Sequence, residues 1–247
     1  MPSAISTEQL VYIPTRFLPD SKRDSHAIRQ CKVIDISGRS VRVQLKNGDP
    51  SDLIAVSKIH TNLGVALVSI GDFETEDGLI NPLSKSLLQF CRLLLPDDQM
   101  TSVRVRSITE VGSWWNVNHG AYTHVIVVGH GSADAIKFGV GGDRQAKSFH
   151  RQMHEVDAHP KTFISLCCET GKSTFAREFS GFDFCNYFIG PEHSIHGAVA
   201  SQFLQSFLNL HLLQGKSTKI AHRHANDLVM AEDRFSIWKA GINVSNG

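Results

Sequence analysis

The chain has 247 residues, of which 41% are hydrophobic and 20% are charged, and its formal net charge is +1 at pH 7. This composition is typical of one globular domain with a small appendage, and it excludes a disordered chain and a general attraction to nucleic acid. No apolar run approaches the roughly 20 residues that span a bilayer, and residues 1–10 lack the apolar core of a signal peptide. We therefore expect a cytoplasmic protein with neither nucleic-acid nor membrane partners.

The first 60 residues predict a small β-rich module. Two apolar runs, Cys31–Ile36 and Val41–Leu45, flank a short turn, and the second run alternates apolar and polar side chains as a half-buried strand does. After a turn at residues 47–50, the run Leu53–Ile59 predicts a third strand. In outline, residues 1–60 resemble an SH3-type barrel, and a β extension of the main sheet is an equally consistent interpretation.

Residues 61–247 predict an α/β domain in which strands and helices alternate. The predicted strands are apolar runs typical of buried parallel sheets: Leu63–Ile70, Val103–Ile108, Val125–Val128, Phe163–Leu166 and Asn186–Ile189. The predicted helices are Asn81–Leu95, 144–158, Ile195–Gln214 and Thr218–Glu232. This alternation predicts a mostly parallel sheet flanked by helices on both faces, in which ligands bind beyond the carboxyl ends of the strands.

Several motifs that indicate other chemistries fail on their spacing. The GKST sequences at 171–174 and 215–218 lack the earlier glycine that a phosphate-binding loop requires. His154 and His159 miss the i, i+4 spacing of a zinc-binding helix, and the remaining histidine pairs lack cysteines or carboxylates at metal-ligand spacing. We therefore expect neither a metal nor a cofactor.

Two short apolar runs each end in a residue that can take part in nucleophilic catalysis. The first run, at 124–128, is followed by Gly129 and His130, and the second, at 163–166, is followed by Cys167 and Cys168. If the two strands are parallel neighbours, an imidazole and a thiol meet at the same edge of the sheet. A thiol becomes a good nucleophile as a thiolate, and histidine is the usual base. The other three of the five cysteines sit among apolar residues, and we expect them to be reduced and inert: Cys31, Cys91 and Cys185.

These two blocks resemble those of a known family. VVGHG at 127–131 and SLCCETG at 165–171 look like the His-Gly and Cys blocks of caspase-like cysteine peptidases, in particular the CHAT and bacterial caspase-like branch. The resemblance covers about residues 63–240 and implies the caspase-hemoglobinase fold. It implies that Cys168 is the nucleophile, that His130 is its general acid and base, and that the backbone N–H groups of Gly131 and Cys168 form the oxyanion hole. Cys167 would point into the core, because adjacent strand residues face opposite ways.

The resemblance also implies a protein or peptide substrate, and it directs attention to the charges around the scissile position. Caspases bind an aspartate side chain with arginines, whereas here the loop 71–78 contains four acids and no base, and 186–195 contains one glutamate and no arginine. We therefore predict that aspartate is a poor residue at the scissile position. The candidate substrate-binding residues are Leu166, Glu192, Asp72 and Asp77. A basic side chain beside the carboxylates and an uncharged one against Leu166 both remain open.

Control of such an enzyme is expected to come from an activating partner, a small-molecule effector or self-cleavage, because the sequence contains no evident long prodomain. Bacterial caspase-like proteins of this size resemble effectors of immune systems. The alternative is a catalytically silent caspase-like scaffold or binding protein in which the N-terminal module performs the recognition. The intact pair of His130 and Cys168 favours the enzyme.

Overall fold

The computed structural model describes residues 5–71, 74–154 and 159–245. Its strands are numbered in chain order. They are β1 (Leu10–Pro14), β2 (Ile28–Ser37), β3 (Ser40–Val43), β4 (Ile54–Ala55), β5 (Val65–Ile70), β6 (Met100–Val105), β7 (His124–Val128), β8 (His130–Gly131), β9 (Ile136–Phe138), β10 (Gly142–Arg144), β11 (Lys161–Ser165), β12 (Cys185–Pro191), β13 (Phe235–Lys239) and β14 (Ile242–Asn243).

Six α-helices lie in the described part of the chain: α1 (Asn81–Leu94), α2 (Ile108–Asn118), α3 (Ala146–Met153), α4 (Ser173–Ser180), α5 (Gly197–Leu208) and α6 (Thr218–Asn226). A π-helical turn, Glu76–Ile80, leads directly into α1, and a second one, Asn209–Leu213, continues α5. None of the described helices is both long enough and apolar enough to cross a bilayer.

The protein is an α/β structure built on a mixed sheet of seven strands in the order β14-β13-β12-β11-β7-β5-β6. The five strands from β12 to β6 are parallel, and β13 and β14 join one edge as an antiparallel pair. Strands β5, β7 and β11 are buried along their whole length. Burial on both faces favours apolar side chains, which explains the runs of valine and isoleucine in β5 and β7. Strand β11 also buries polar side chains, those of Lys161, Thr162 and Ser165.

Helices cover both faces of this sheet, and the alternation of side chains along each strand divides the core in two. On one face Ile126 and Val128 pack with side chains of α1, α5 and α6. On the other face Val125 and Val127 pack with side chains of α2, α3 and α4, in a cluster rich in phenylalanine. A sheet buried in this way is rigid, so the residues that leave the ends of its strands are held in fixed positions.

The N-terminal segment forms a separate four-stranded antiparallel sheet in the order β1-β2-β3-β4, with its own small core. The module also contacts the main domain. Tyr12 and Ile28 join the core cluster of α1 and α5, and the Ala27 N–H donates to the Leu93 carbonyl at 3.0 Å. The run Leu53–Ile59 forms a strand at Ile54–Ala55 alone, because a 3₁₀ turn begins at Val56.

Several predicted boundaries in the main domain were wrong. Helix α3 begins at Ala146, because Arg144 belongs to β10, and α6 ends at Asn226 rather than at Glu232. The second strand ends at Val105, because Ser107 takes an extended conformation and caps α2 by accepting from the Glu110 N–H at 3.2 Å. Gly190 and Pro191 do not end the fifth strand. They continue β12, and the register pairs Pro191 with Phe235 of antiparallel β13.

Candidate active site

The neighbouring strands β7 and β11 bring the two predicted catalytic residues to one edge of the sheet. They are parallel, Ser165 lies opposite Val127, and the Leu166 N–H donates to the Val127 carbonyl at 2.8 Å. His130 follows Val127 by three residues, and Cys168 follows Ser165 by three. The two chains therefore leave the sheet side by side, at the carboxyl edge where ligands bind in α/β folds.

Direct contact between the two blocks is made at Gly131. A Cβ atom built there would lie 2.8 Å from the Cys167 Cβ atom and 2.9 Å from the Cys168 carbonyl oxygen. The backbone next to His130 thus packs against the backbone that carries the thiol. Any side chain at position 131 would push the two segments apart, so their close packing requires glycine at this position.

The adjacent cysteines have opposite environments. Cys167 is fully buried in the phenylalanine-rich core, and burial raises the pKa of its thiol to about 12. Cys168 is half-exposed, with its Sγ atom 3.9 Å from the Ile195 carbonyl oxygen and 3.5 Å from the Ser194 hydroxyl. Since a nucleophile must be accessible, Cys168 is the member of the pair that is placed for chemistry.

The other three cysteines, Cys31, Cys91 and Cys185, are buried in the cores. Burial raises the pKa of Cys31 to about 11, raises that of Cys91 to about 12, and also raises that of Cys185. These thiols are therefore poor nucleophiles in the folded protein, because the thiolate form is disfavoured.

The turn after Cys168 is tightly determined. Glu169 has a positive φ of 60°, which a non-glycine residue adopts only at a cost, and its N–H donates to the His193 carbonyl at 3.2 Å. The hydroxyl of buried Thr170 lies 2.8 Å from both the Ser165 hydroxyl and the Cys167 carbonyl oxygen. These contacts fix the direction in which Cys168 leaves the strand.

Gly171 connects the same turn to β13, one of the two antiparallel strands at the edge of the sheet. Its carbonyl accepts from the Ser236 hydroxyl at 2.6 Å and from the Trp238 indole N–H at 2.9 Å, both on β13. A Cβ atom at position 171 would lie 2.1 Å from the Gly190 carbonyl oxygen, so only glycine fits without a backbone shift. The segment 169–171 is thus a structural support for the thiol.

The imidazole of His130 is held by a residue that the sequence analysis missed. Thr75 lies in the loop that follows β5, and its hydroxyl oxygen is 2.6 Å from His130 Nε2. His130 also belongs to the small antiparallel sheet β10-β9-β8, where it lies opposite Lys137. The contact with Thr75 and the pairing with Lys137 hold the His130 side chain and backbone at the edge of the sheet.

One acid of the loop after β5, Glu76, is paired with two arginines that are distant in sequence. The buried carboxylate of Glu76 lies 3.1 Å from the Arg106 Nε atom and 3.2 Å from the nearest guanidinium nitrogen of Arg104. The sequence of the loop itself contains acids and no base. Both arginines come from β6 and the residue after it, so their pairing with Glu76 is not visible in the loop sequence. The structure therefore gives the loop less excess negative charge than its own sequence indicates.

The three predicted substrate-binding residues that the structure describes lie in different environments. Leu166 is 4% exposed and packs in the core between β11 and α1. Asp77 is exposed and accepts from the Asn81 amide at 2.8 Å. Glu192 is partly exposed at the end of β12, with its N–H donating to the Arg234 carbonyl at 3.0 Å. Asp72 lies outside the described residues.

Within residues 5–71, 74–154 and 159–245, no group of three or more histidine, cysteine or carboxylate side chains is arranged to hold a metal ion. Compared by sequence, the chain matches no family model and no curated protein.

Proposed function

We propose that the protein is a cysteine endopeptidase of the caspase-like group, with Cys168 as the nucleophile and His130 as general acid and base. The observation that carries the proposal is the contact of Gly131 with the Cys167–Cys168 backbone, which sets the half-exposed thiol beside the histidine block at the sheet edge. The alternating strands and helices agree with the caspase-hemoglobinase fold that the resemblance implies.

In the proposed reaction, His130 takes the proton of the Cys168 thiol, and the thiolate attacks the carbonyl carbon of the scissile peptide bond. The tetrahedral intermediate collapses as the C–N bond breaks, and His130 gives the proton to the leaving amine. A water molecule, deprotonated by the same histidine, then attacks the thioester. The C–S bond breaks, the acid product leaves, and the thiol is restored.

The backbone supplies the proposed stabilisation of the oxyanion. In the described part of the chain, no protein acceptor is hydrogen-bonded to the Cys168 N–H, which lies in the turn between the strand and Glu169. Together with the N–H of Gly131, it can donate to the oxygen of the intermediate. Such preorganised donors contribute about 3 kcal/mol each to the stabilisation of a transition state.

Thr75 has the role of a positioning residue in this scheme. Its hydroxyl contacts His130 Nε2 and so limits the rotation of the ring. The hydroxyl can also accept a hydrogen bond from Nε2–H and so stabilise the imidazolium that forms when the thiol is deprotonated.

Cleavage is expected to be regulated by an activating partner, an effector molecule or self-cleavage, as in an effector of a bacterial immune system. The test is to incubate the full chain with a proteome-derived peptide library, with and without candidate activators, and to identify new amino termini by mass spectrometry. We expect new termini with the wild type and none with Cys168→Ala or His130→Ala. Equal products from the wild type and Cys168→Ala would refute the proposal and favour the silent scaffold.

A further inference from the structure

A cleft of about 580 Å³ opens beside the candidate active site. One wall is formed by the turn that precedes α1 and by the start of that helix, with the side chains of Leu79, Pro82 and Leu83. The opposite wall is the beginning of α5, with His196, Ala198 and Gln202. A cleft of this volume holds a large amino-acid side chain together with adjacent atoms of a peptide.

Both walls begin next to groups that contact the proposed catalytic pair. The Leu79 N–H donates to the Thr75 carbonyl at 3.0 Å, and the Thr75 hydroxyl contacts His130. On the other side, His196 follows Ile195, whose carbonyl oxygen lies 3.9 Å from the Cys168 Sγ atom. The cleft therefore begins at residues that are directly bonded, or hydrogen-bonded, to groups in contact with the proposed pair.

The walls carry little charge. Among the described residues that line the cleft, His196 is the only one with an ionisable side chain, and its Nδ1 atom accepts from the Ala198 N–H at 3.2 Å. Glu76, the buried acid of the adjoining turn, is paired with Arg104 and Arg106. A lysine side chain that entered the cleft would find no carboxylate among these lining residues, and a carboxylate would find only the His196 imidazole, whose Nδ1 atom already accepts from the Ala198 N–H. Loss of water without an ion-pair partner is costly.

We propose that this cleft binds the substrate side chain on the acyl side of the scissile bond and selects an uncharged one, of the size of leucine, methionine or glutamine. The proposal rests on the proposed peptidase function and specifies its substrate class. Leu79, Pro82 and Leu83 provide an apolar wall, and His196 and Gln202 provide polar groups at the other wall. Of the two alternatives left open by the sequence, the geometry favours the uncharged side chain.

The experiment uses chloromethyl ketones of the form acetyl-Ala-Ala-X, with X as Leu, Gln, Asp or Lys. The thiolate displaces chloride and forms a thioether, so the rate of modification of Cys168, mapped by mass spectrometry, reports occupancy of the cleft without requiring turnover. Each rate is divided by the rate with iodoacetamide, which carries no side chain. We expect the Leu and Gln reagents to react at least tenfold faster than the Asp and Lys reagents.

Ala198 offers a matched pair of variants, because it is exposed, lies at the second position of α5 and lines the cleft. Ala198→Glu should raise the relative rate of the Lys reagent about fivefold, and Ala198→Arg should raise that of the Asp reagent by a similar factor. Lys147→Glu changes the charge at the equivalent position of α3, which packs on the opposite face of the sheet, and should leave the series unchanged.

The outcomes separate the two proposals. The assignment of the cleft would be overturned by rates that do not depend on X, by a preference for Asp or Lys, or by Ala198 variants that act equally on all four reagents. Fast modification of Cys168 in the same experiment would leave the peptidase proposal intact. If Cys168 reacts no faster in the wild type than in His130→Ala, with iodoacetamide as well as with every peptidyl reagent, both proposals fail.

Discussion

At the scale of single residues, the neighbouring cysteines differ because the end of β11 turns them in opposite directions. Cys167 lies in the core with no exposed surface, and Cys168 faces the site edge beside Ser194 and Ile195. A core thiol in this position contributes packing, whereas an accessible one can react. The chemistry therefore depends on a one-residue register, and the two cysteines give a direct internal comparison.

Substitution of each cysteine separates packing from catalysis. Cys168→Ala should abolish peptide cleavage and leave the free energy of unfolding within about 0.5 kcal/mol of the wild type, since the side chain is partly exposed. Cys167→Ala keeps the Cβ atom that Gly131 packs against, so it should retain activity and lose about 1 kcal/mol of stability. Urea unfolding and peptide cleavage measure the two effects. An inactive Cys167→Ala with an active Cys168→Ala would reverse the assignment.

Thr75 can be tested as a positioning residue with two substitutions. Thr75→Val keeps the shape and removes the hydroxyl that contacts His130. We expect kcat to fall about 10- to 100-fold, less than the roughly 10²–10⁴-fold that a general acid or base itself contributes. Thr75→Ser keeps the hydroxyl and should recover most of the rate. The pH profile of kcat/KM should shift in the valine variant only. Equal activity of all three proteins, with identical pH profiles, would remove Thr75 from the mechanism.

At the scale of elements, the turn 169–171 links the nucleophile to the antiparallel edge of the sheet. Gly171 meets the Gly190 backbone, and its carbonyl accepts from two side chains of β13. The C-terminal strands therefore support the active-site turn as well as closing the sheet. A change at Gly171 should be transmitted to Cys168 through the three residues of the turn.

The expected effect of Gly171→Ala is a loss of about 3 kcal/mol in the free energy of unfolding, because the new Cβ atom would lie 2.1 Å from a backbone carbonyl oxygen and the turn must shift. The matched control is Gly120→Ala, where the new Cβ atom meets nothing within 4 Å and the change should be below about 0.5 kcal/mol. Chemical denaturation measures both. Equal stabilities of the two variants would show that the close approach at Gly171 is not required.

The sequence predicted the elements whose signal is local. Strands β5, β7 and β11 were predicted because burial on both faces requires uninterrupted apolar runs, and α1 because Pro82 and Pro96 mark its two ends. Helix α2 was missed, since its segment contains a glycine and two tryptophans whose helical placement is decided by packing. Strands β13 and β14 were also missed, because they depend on pairing with β12.

The residues of the candidate site also fall into those with a local sequence signal and those without one. His130 and Cys168 were predicted because each follows a recognisable strand. Thr75 was not predicted, because its contact with His130 depends on the path of the loop after β5. The pairing of Glu76 with Arg104 and Arg106 joins residues 28 and 30 positions apart, and no local pattern reveals it. Contacts between loops are set by the sheet order, which the sequence alone left open.

At the scale of the whole molecule, buried histidines make stability depend on pH. His60, His124 and His211 form a cluster between the N-terminal module and the main domain, with ring centroids of His124 and His211 5.3 Å apart. Burial lowers the pKa of all three. Burial also lowers the pKa of His222 to about 4, although its ring nitrogen Nε2 lies 2.8 Å from the Phe235 carbonyl oxygen.

These shifts fix the direction of the pH effect. The unfolded chain binds protons on these histidines below about pH 6.5, whereas the folded chain resists them until a lower pH, so stability is full above pH 6.5 and falls as the pH decreases toward 4. Each such group lowers the free energy of unfolding by up to ~1.4 kcal/mol per pH unit in this window. Urea unfolding at pH 7.5, 6.5, 5.5 and 4.5 measures the slope.

His222→Gln should reduce the slope of the free energy of unfolding against pH by an amount that corresponds to about one bound proton. His224→Gln changes an exposed position on the same helix and should leave the slope unchanged. A slope between pH 6.5 and 4.5 that is the same in His222→Gln as in the wild type would contradict the assignment of a neutral buried imidazole at position 222.

We propose that His130 activates the thiol of Cys168. Alkylation of the folded chain with iodoacetamide, mapped by mass spectrometry in the wild type and in His130→Ala, tests this activation. We predict that Cys168 is modified first, because the other four cysteines are buried, and that its rate falls at least tenfold in His130→Ala. Modification of Cys168 at the same rate in both proteins, or slower than that of a buried cysteine, would contradict the account.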